Sequence, residues 1–66
     1  MKLHACTIVL KNNHTFTLDS VEQSLGILEE YNQNNIETVT IDALDGQQLH
    51  TYKLSFEESL ESLMNL

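Results

Sequence analysis

Proline, arginine and tryptophan are absent from this 66-residue chain, cysteine occurs once, and glycine occurs twice. Each gap excludes something. Without proline, any strand at a sheet edge lacks one of its usual guards against pairing with another chain. With only Gly26 and Gly46 there is no glycine-rich loop to cradle a phosphate. A lone Cys6 excludes an internal disulfide and suits a reducing compartment. Its neighbours Thr7, Ile8 and Val9 are apolar or neutral, so it reads as a small core residue rather than a nucleophile. No long apolar run exists. The stretch after Met1 is too short and too polar for a signal peptide or a membrane span, so no membrane association is expected and the cytoplasm is the expected location.

The missing arginine weighs most. Ten acids face three lysines, Lys2, Lys11 and Lys53, and the net charge is −7. Nucleic-acid binding relies on Lys and Arg to neutralise phosphates, and on Arg for bidentate base contacts. A chain of this charge is repelled by a polyanion, so direct nucleic-acid binding is not expected. The same field attracts a basic partner and speeds its approach, although net charge also simply keeps small proteins in solution.

Sixty-six residues make one domain, 1–66. So short a chain buries only about 60% of the surface its unfolded form exposes, and many such domains lean on a metal, a disulfide or a partner.

What is present is a pattern written twice. His14-Thr15-Phe16-Thr17-Leu18-Asp19-Ser20-Val21-Glu22-Gln23-Ser24-Leu25 runs in register with His50-Thr51-Tyr52-Lys53-Leu54-Ser55-Phe56-Glu57-Glu58-Ser59-Leu60 once Asp19 is skipped. Upstream, Thr7-Ile8 matches Thr40-Ile41, and downstream Leu28 matches Leu63. The expected fold is α+β: a duplicated ββα unit, ββαββα, spanning about 3–32 and 36–65, with a four-stranded antiparallel-hairpin sheet and two helices packed on one face.

The local signals agree with it. The first hairpin is expected at Leu3–Leu10 and Thr15–Leu18 around Asn12-Asn13, the second at Ile36–Leu44 and Gln48–Leu54 around Asp45-Gly46. Each second strand hands over to a helix at a capping box, Ser20-x-x-Gln23 and Ser55-x-x-Glu58. Apolar residues then follow at helical spacing: Val21, Leu25, Leu28 and Tyr31 in the first, Phe56, Leu60, Leu63 and Met64 in the second. Asn32–Asn35 ends the first helix and is the only linker. The remaining serines are assigned to caps or helix surfaces.

Alternation puts Cys6, Ile8, Leu10, Phe16 and Leu18, then Val39, Ile41, Tyr52 and Leu54, on the inner face. For the first hairpin this requires a loop with an odd number of residues, because a two-residue turn would turn Thr7 and Val9 inward instead. The opposite face then carries Thr7, Thr15, Thr17, Thr40, Asp42, Thr51 and Lys53. Such a face can be left to solvent or used for assembly. With little to guard the edges, a second copy of the chain is a candidate partner, as a homodimer.

The chemistry of catalysis is not found. No Ser or Cys has a base and an orienting group in an evident pattern, two layers leave little room for a cleft, and no enzyme is expected. Ligand spacings such as C-x-x-C or H-x-x-x-H are missing. His14 and His50, matched in the two copies, are the only pair that symmetry could bring together around a metal, with Cys6 as a third ligand. No metal or other cofactor is expected.

The acids carry the one positive hint. Glu22 and Glu29 fall on the outside of the first helix, and Glu57, Glu58 and Glu61 on the outside of the second. They form either a solvated face or a row of carboxylates that imitates a phosphate backbone. Gly26 could let something pack close to the first helix. The expected function is a non-enzymatic protein–protein interaction module, of the kind phages and plasmids use as inhibitors, whose acidic surface occupies a nucleic-acid-binding protein. The alternatives are a small bacterial regulator that binds a small ligand or metal, and a structural subunit of a larger assembly.

Overall fold

A computed structural model describes all residues from Met1 to Leu66. The elements follow in the order β1 (Lys2–Leu10), β2 (Thr15–Leu18), α1 (Val21–Asn35), β3 (Ile36–Asp45), β4 (Gln48–Leu54) and α2 (Phe56–Met64). The fold is α+β, with one four-stranded antiparallel sheet in the order β2-β1-β3-β4. The order of elements fits two successive ββα units.

The first hairpin closes through an odd loop. Leu10 donates its N–H to the His14 carbonyl at 2.8 Å, and Asn13 donates to the Leu10 carbonyl at 3.0 Å. Three residues, Lys11 to Asn13, make the connection, with Asn13 at φ 73°. Asparagine tolerates this left-handed conformation, and a turn followed by such a residue is a common three-residue hairpin. Cys6, Ile8 and Leu10 therefore face inward with Phe16 and Leu18, since Cys6 lies opposite Leu18 and Ile8 opposite Phe16.

The second hairpin departs from its expected turn. Asp45 pairs with Gln48, so the two central residues are Gly46 and Gln47, with Gly46 at φ 64°. Glycine at the first central position marks a turn of the II′ kind, whereas an Asp-Gly centre would make a I′ turn. Asp45 ends β3 instead of opening the loop.

Two β-bulges complete the sheet. His4 has no partner between Leu3 and Ala5 on β1, and Glu37 has none between Ile36 and Thr38 on β3. An extra residue reverses the alternation of whatever lies beyond it. This sends Leu3 and Ile36 to the inner face, where both are buried. Strict alternation could not have placed them.

Thr7 and Thr40 face one another at the centre of the sheet. Counted outward from that pair, the two halves correspond. Cys6 meets Ile41 and Ile8 meets Val39. Thr17 lies beside Thr7 as Lys53 lies beside Thr40. Each bulge falls three residues before its threonine.

One hydrophobic layer lies between the sheet and the helices. Ile8, Val39, Ile41, Leu28 and Leu63 are among its members, with the two helices contributing one fully buried leucine each. Both helices thus lie against one face of the sheet. Ser24 and Ser59 are also fully buried, which corrects their assignment to the helix surface. Each hydroxyl donates into its own helix, Ser24 to the Ser20 carbonyl at 2.8 Å and Ser59 to the Phe56 carbonyl at 2.6 Å. The polar atom is satisfied locally, and a short side chain lets the helix sit close to the layer below. Met64, expected on the apolar face of α2, is exposed instead because Leu63 takes the buried position.

The helix starts differ. At α2, Ser55 Oγ accepts the Glu58 N–H at 3.2 Å and Glu58 Oε1 accepts the Ser55 N–H at 3.1 Å, a complete capping box. At α1, Ser20 Oγ accepts the Gln23 N–H at 3.3 Å, and that serine bond is the cap's side-chain contact. Near its other end α1 is interrupted at Asn32, at φ 48° and ψ 173°. Asn32 Oδ1 accepts the Asn34 N–H, and Asn35 donates from its side chain to the Tyr31 carbonyl. The asparagine run is thus a connector that caps itself and delivers the chain directly into β3.

Candidate functional site

The acidic residues stand where the helices place them. Glu22, Glu29, Glu57, Glu58 and Glu61 are all exposed. Glu58 differs from the others. Its carboxylate accepts the Ser55 backbone N–H, and the hydrogen bonds from Ser55 hold it below the usual carboxylate range. One of its oxygens is already committed to the helix end. Gly26 is exposed, and no other part of the chain comes within 4 Å of the place a Cβ would take.

The histidines do not converge. His14 adjoins β2 at one edge of the sheet, while His50 lies on β4 at the other. Three interstrand spacings of about 4.8 Å separate those edges by about 14 Å, so the two residues cannot share a metal. His50 stacks on Tyr52 instead, with ring centroids 6.3 Å apart. Cys6 is fully buried in the core. Burial pushes its thiol up, the Asp42 charge adds to this, and a Ser24 hydrogen bond partly opposes it. No group of three or more His, Cys, Asp or Glu side chains is placed to hold a metal ion.

The helix-free face of the sheet carries the expected threonines. Thr17, Thr7, Thr40 and Lys53 form one row across all four strands. In the row beside it, Thr51 donates its hydroxyl to Asp42 Oδ1 at 2.7 Å.

The inner face holds a feature that the sequence pattern did not announce. A groove of about 310 Å³ opens between the β3–β4 hairpin and the end of α2. Ile41, Ala43, Tyr52 and Leu54 line it from the sheet, Ser62, Asn65 and Leu66 from the helix side, and Met1 completes the lining. Tyr52 was expected in the core but is 40% exposed, because the space above its ring is open.

The corresponding place in the first unit is filled. Phe16 lies opposite Ile8 just as Tyr52 lies opposite Ile41. Counted from the buried leucines Leu28 and Leu63, Ile27 corresponds to Ser62 and Tyr31 to Leu66. Counted from the central threonines, Leu10 corresponds to Ala43. In the first unit the Tyr31 ring packs on Phe16 at a centroid distance of 5.5 Å, and Leu10 is buried beside them. In the second unit each of these three positions carries a smaller side chain, and the volume they leave is the groove. The difference is one of side-chain volume at matched positions: Leu10 against Ala43, Ile27 against Ser62, Tyr31 against Leu66.

A second hollow, of about 330 Å³, lies farther out on the first unit and is lined by Leu10, Lys11, Asn12, Tyr31 and Asn35. It is bordered by amide and ammonium groups. In comparisons with protein-family models, curated proteins and solved structures, the chain matches none. No helix is long and apolar enough to cross a membrane.

Proposed function

We propose that this protein is a non-enzymatic interaction module whose acidic helix surface occupies a basic, nucleic-acid-binding protein, in the manner of phage- or plasmid-type inhibitors. The supporting observation is the distribution of charge. The net charge is −7 without a single arginine. The glutamates of both helices are exposed, and neither helix has a basic residue in its last turn. Both helices therefore carry net negative charge, which in this reading steers a basic partner and repels nucleic acid. The two ββα units are, in this reading, copies of one ancestral unit. Their registers run outward from the Thr7/Thr40 pair with matched bulges, and this is what supports it.

The experiment is capture of this protein on an immobilised, purified basic nuclease, in competition with duplex DNA and at rising salt. Binding is expected to fall as DNA is added, to weaken steeply with salt, and to be lost when Glu22, Glu29, Glu57 and Glu61 are replaced by glutamine. Retention at about 1 M salt, where charges are screened beyond about 3 Å, would exclude electrostatic mimicry.

A further inference from the structure

We infer that the groove between β4 and the end of α2 is a socket for an aromatic side chain, carried on a basic segment of a partner protein. The first half of the molecule shows what such a place holds. There, Tyr31 lays its ring on Phe16 at 5.5 Å and completes the layer. In the second half, Tyr52 stands in the position of Phe16; His50 of its own strand stacks on it at 6.3 Å, but no ring from the helix reaches it, because Leu66 replaces Tyr31 and the flanking Ala43 and Ser62 are small. The open volume, about 310 Å³, is ample for one aromatic side chain. The inserted ring meets Ile41 and Leu54 as an apolar floor and the Tyr52 ring as a partner, an arrangement that favours a tilted or offset aromatic pair. The Ser62 hydroxyl and the Asn65 amide are polar groups within the lining, suited to a phenol or indole that carries its own donor.

Charge specifies the segment that brings the ring. Glu58 and Glu61 lie one helical turn before Ser62 and Asn65, on the same side of α2. Both are exposed one turn from the lining, Glu61 with its carboxylate unengaged and Glu58 with one oxygen held by the Ser55 N–H. The helix also ends at the groove without a basic residue in its last turn. The partial negative charge of its terminal carbonyls favours a cation nearby. Strand β4, which forms the other wall, contains no acid. A ring flanked by lysine or arginine therefore meets an apolar seat with an acidic border along the helix.

This inference rests on the proposed acidic binding surface, and its test separates the two. Three blocked peptides serve as probes: Lys-Lys-Tyr-Lys-Lys, Lys-Lys-Ala-Lys-Lys and Glu-Glu-Tyr-Glu-Glu. Binding to the whole protein is followed by amide chemical shifts. The tyrosine-bearing basic peptide is expected to shift the amides of Ala43, Tyr52 and Ser62. The alanine peptide is expected to bind at least ~10-fold more weakly, as loss of one seated ring implies. Ala43→Leu and Ser62→Ile install the side chains that fill the first unit. Either is expected to reduce the tyrosine peptide to the level of the alanine peptide, and the spectrum itself reports that the variant is folded. Equal binding of the two basic peptides would overturn the socket while leaving the acidic surface standing. Equal binding of the acidic and basic tyrosine peptides would overturn the charge requirement together with the proposed function. Binding by none of them would overturn both.

Discussion

The two ββα units share their strand pairing, their bulges and their buried Ser and Leu, yet the place that one fills with an aromatic pair the other leaves open. The first unit fills this place with Leu10, Ile27 and the Phe16–Tyr31 ring pair, its own hollow lying beyond them at Lys11, Asn12 and Asn35. The second leaves Tyr52 and Leu66 exposed around a groove. Architecture and packing are thus separable. Alternation, turns and caps suffice to build a unit, whereas the size of a few side chains decides whether its surface is finished. In a domain this small, with ten buried hydrophobic residues in all, an unfilled end is a large concession of stability.

The sharpest challenge to this comparison lies in the two buried leucines. Leu28→Ala and Leu63→Ala should each destabilise by about 2–5 kcal/mol. Leu28→Ala should be the worse, because the groove next to Leu63 gives that residue's neighbours room to relax. Urea denaturation measures both, and equal losses would mean that the groove does not loosen the second unit. Next come the aromatic residues. Phe16→Ala should cost about 2 kcal/mol, less than a fully buried ring, and Tyr52→Ala should cost under about 1 kcal/mol. A reversal of that order, seen in the same denaturation curves, would show that Tyr52 is the better packed of the two.

The helix starts should differ in the opposite sense. Ser55→Ala is expected to cost about 1 kcal/mol and Ser20→Ala less, since the reciprocal box is complete only at α2. Thermal unfolding of the two variants decides the order. The smallest effect is a pH dependence. Glu58 has a carboxylate held low in the folded state. Its contribution is therefore fully present above the ordinary carboxylate range and is lost as pH falls through the lowered value. Glu58→Gln should flatten the acid limb of stability slightly, and an unchanged acid limb would mean that the box contributes no charge-dependent stability.

Much of this fold could be read from the residues, and the reasons are specific. Serine followed three residues later by Gln or Glu located both helix starts, because few other patterns satisfy exposed N–H groups so cheaply. Asn12-Asn13 and Asp45-Gly46 located both turns. The odd loop that turns Cys6 and Ile8 inward was one of two open alternatives, and only the Leu10–His14 hydrogen bond decides between them. The bulges at His4 and Glu37 were not legible, since an extra residue in a strand carries no side-chain signature here. Buried Ser24 and Ser59 were missed for a related reason. A hydroxyl that bonds back to its own helix looks polar in sequence and behaves as a small packing residue in the fold. Of the candidate site, the exposed glutamates were legible from helical spacing. The groove was not, because it depends on comparing side-chain volumes at matched positions rather than on any motif.

The central ladder has a consequence for how the chain reaches this state. Each hairpin is local and can form early, but the joint between β1 and β3 ties together strands that are distant in the chain. Neither hairpin has a complete layer beneath it until that joint closes, so the entropy of bringing the halves together is spent before most of the burial is gained. The barrier to folding is therefore expected at the meeting of two half-built pieces, and substitutions in the β1–β3 ladder should slow folding more than those in either outer strand.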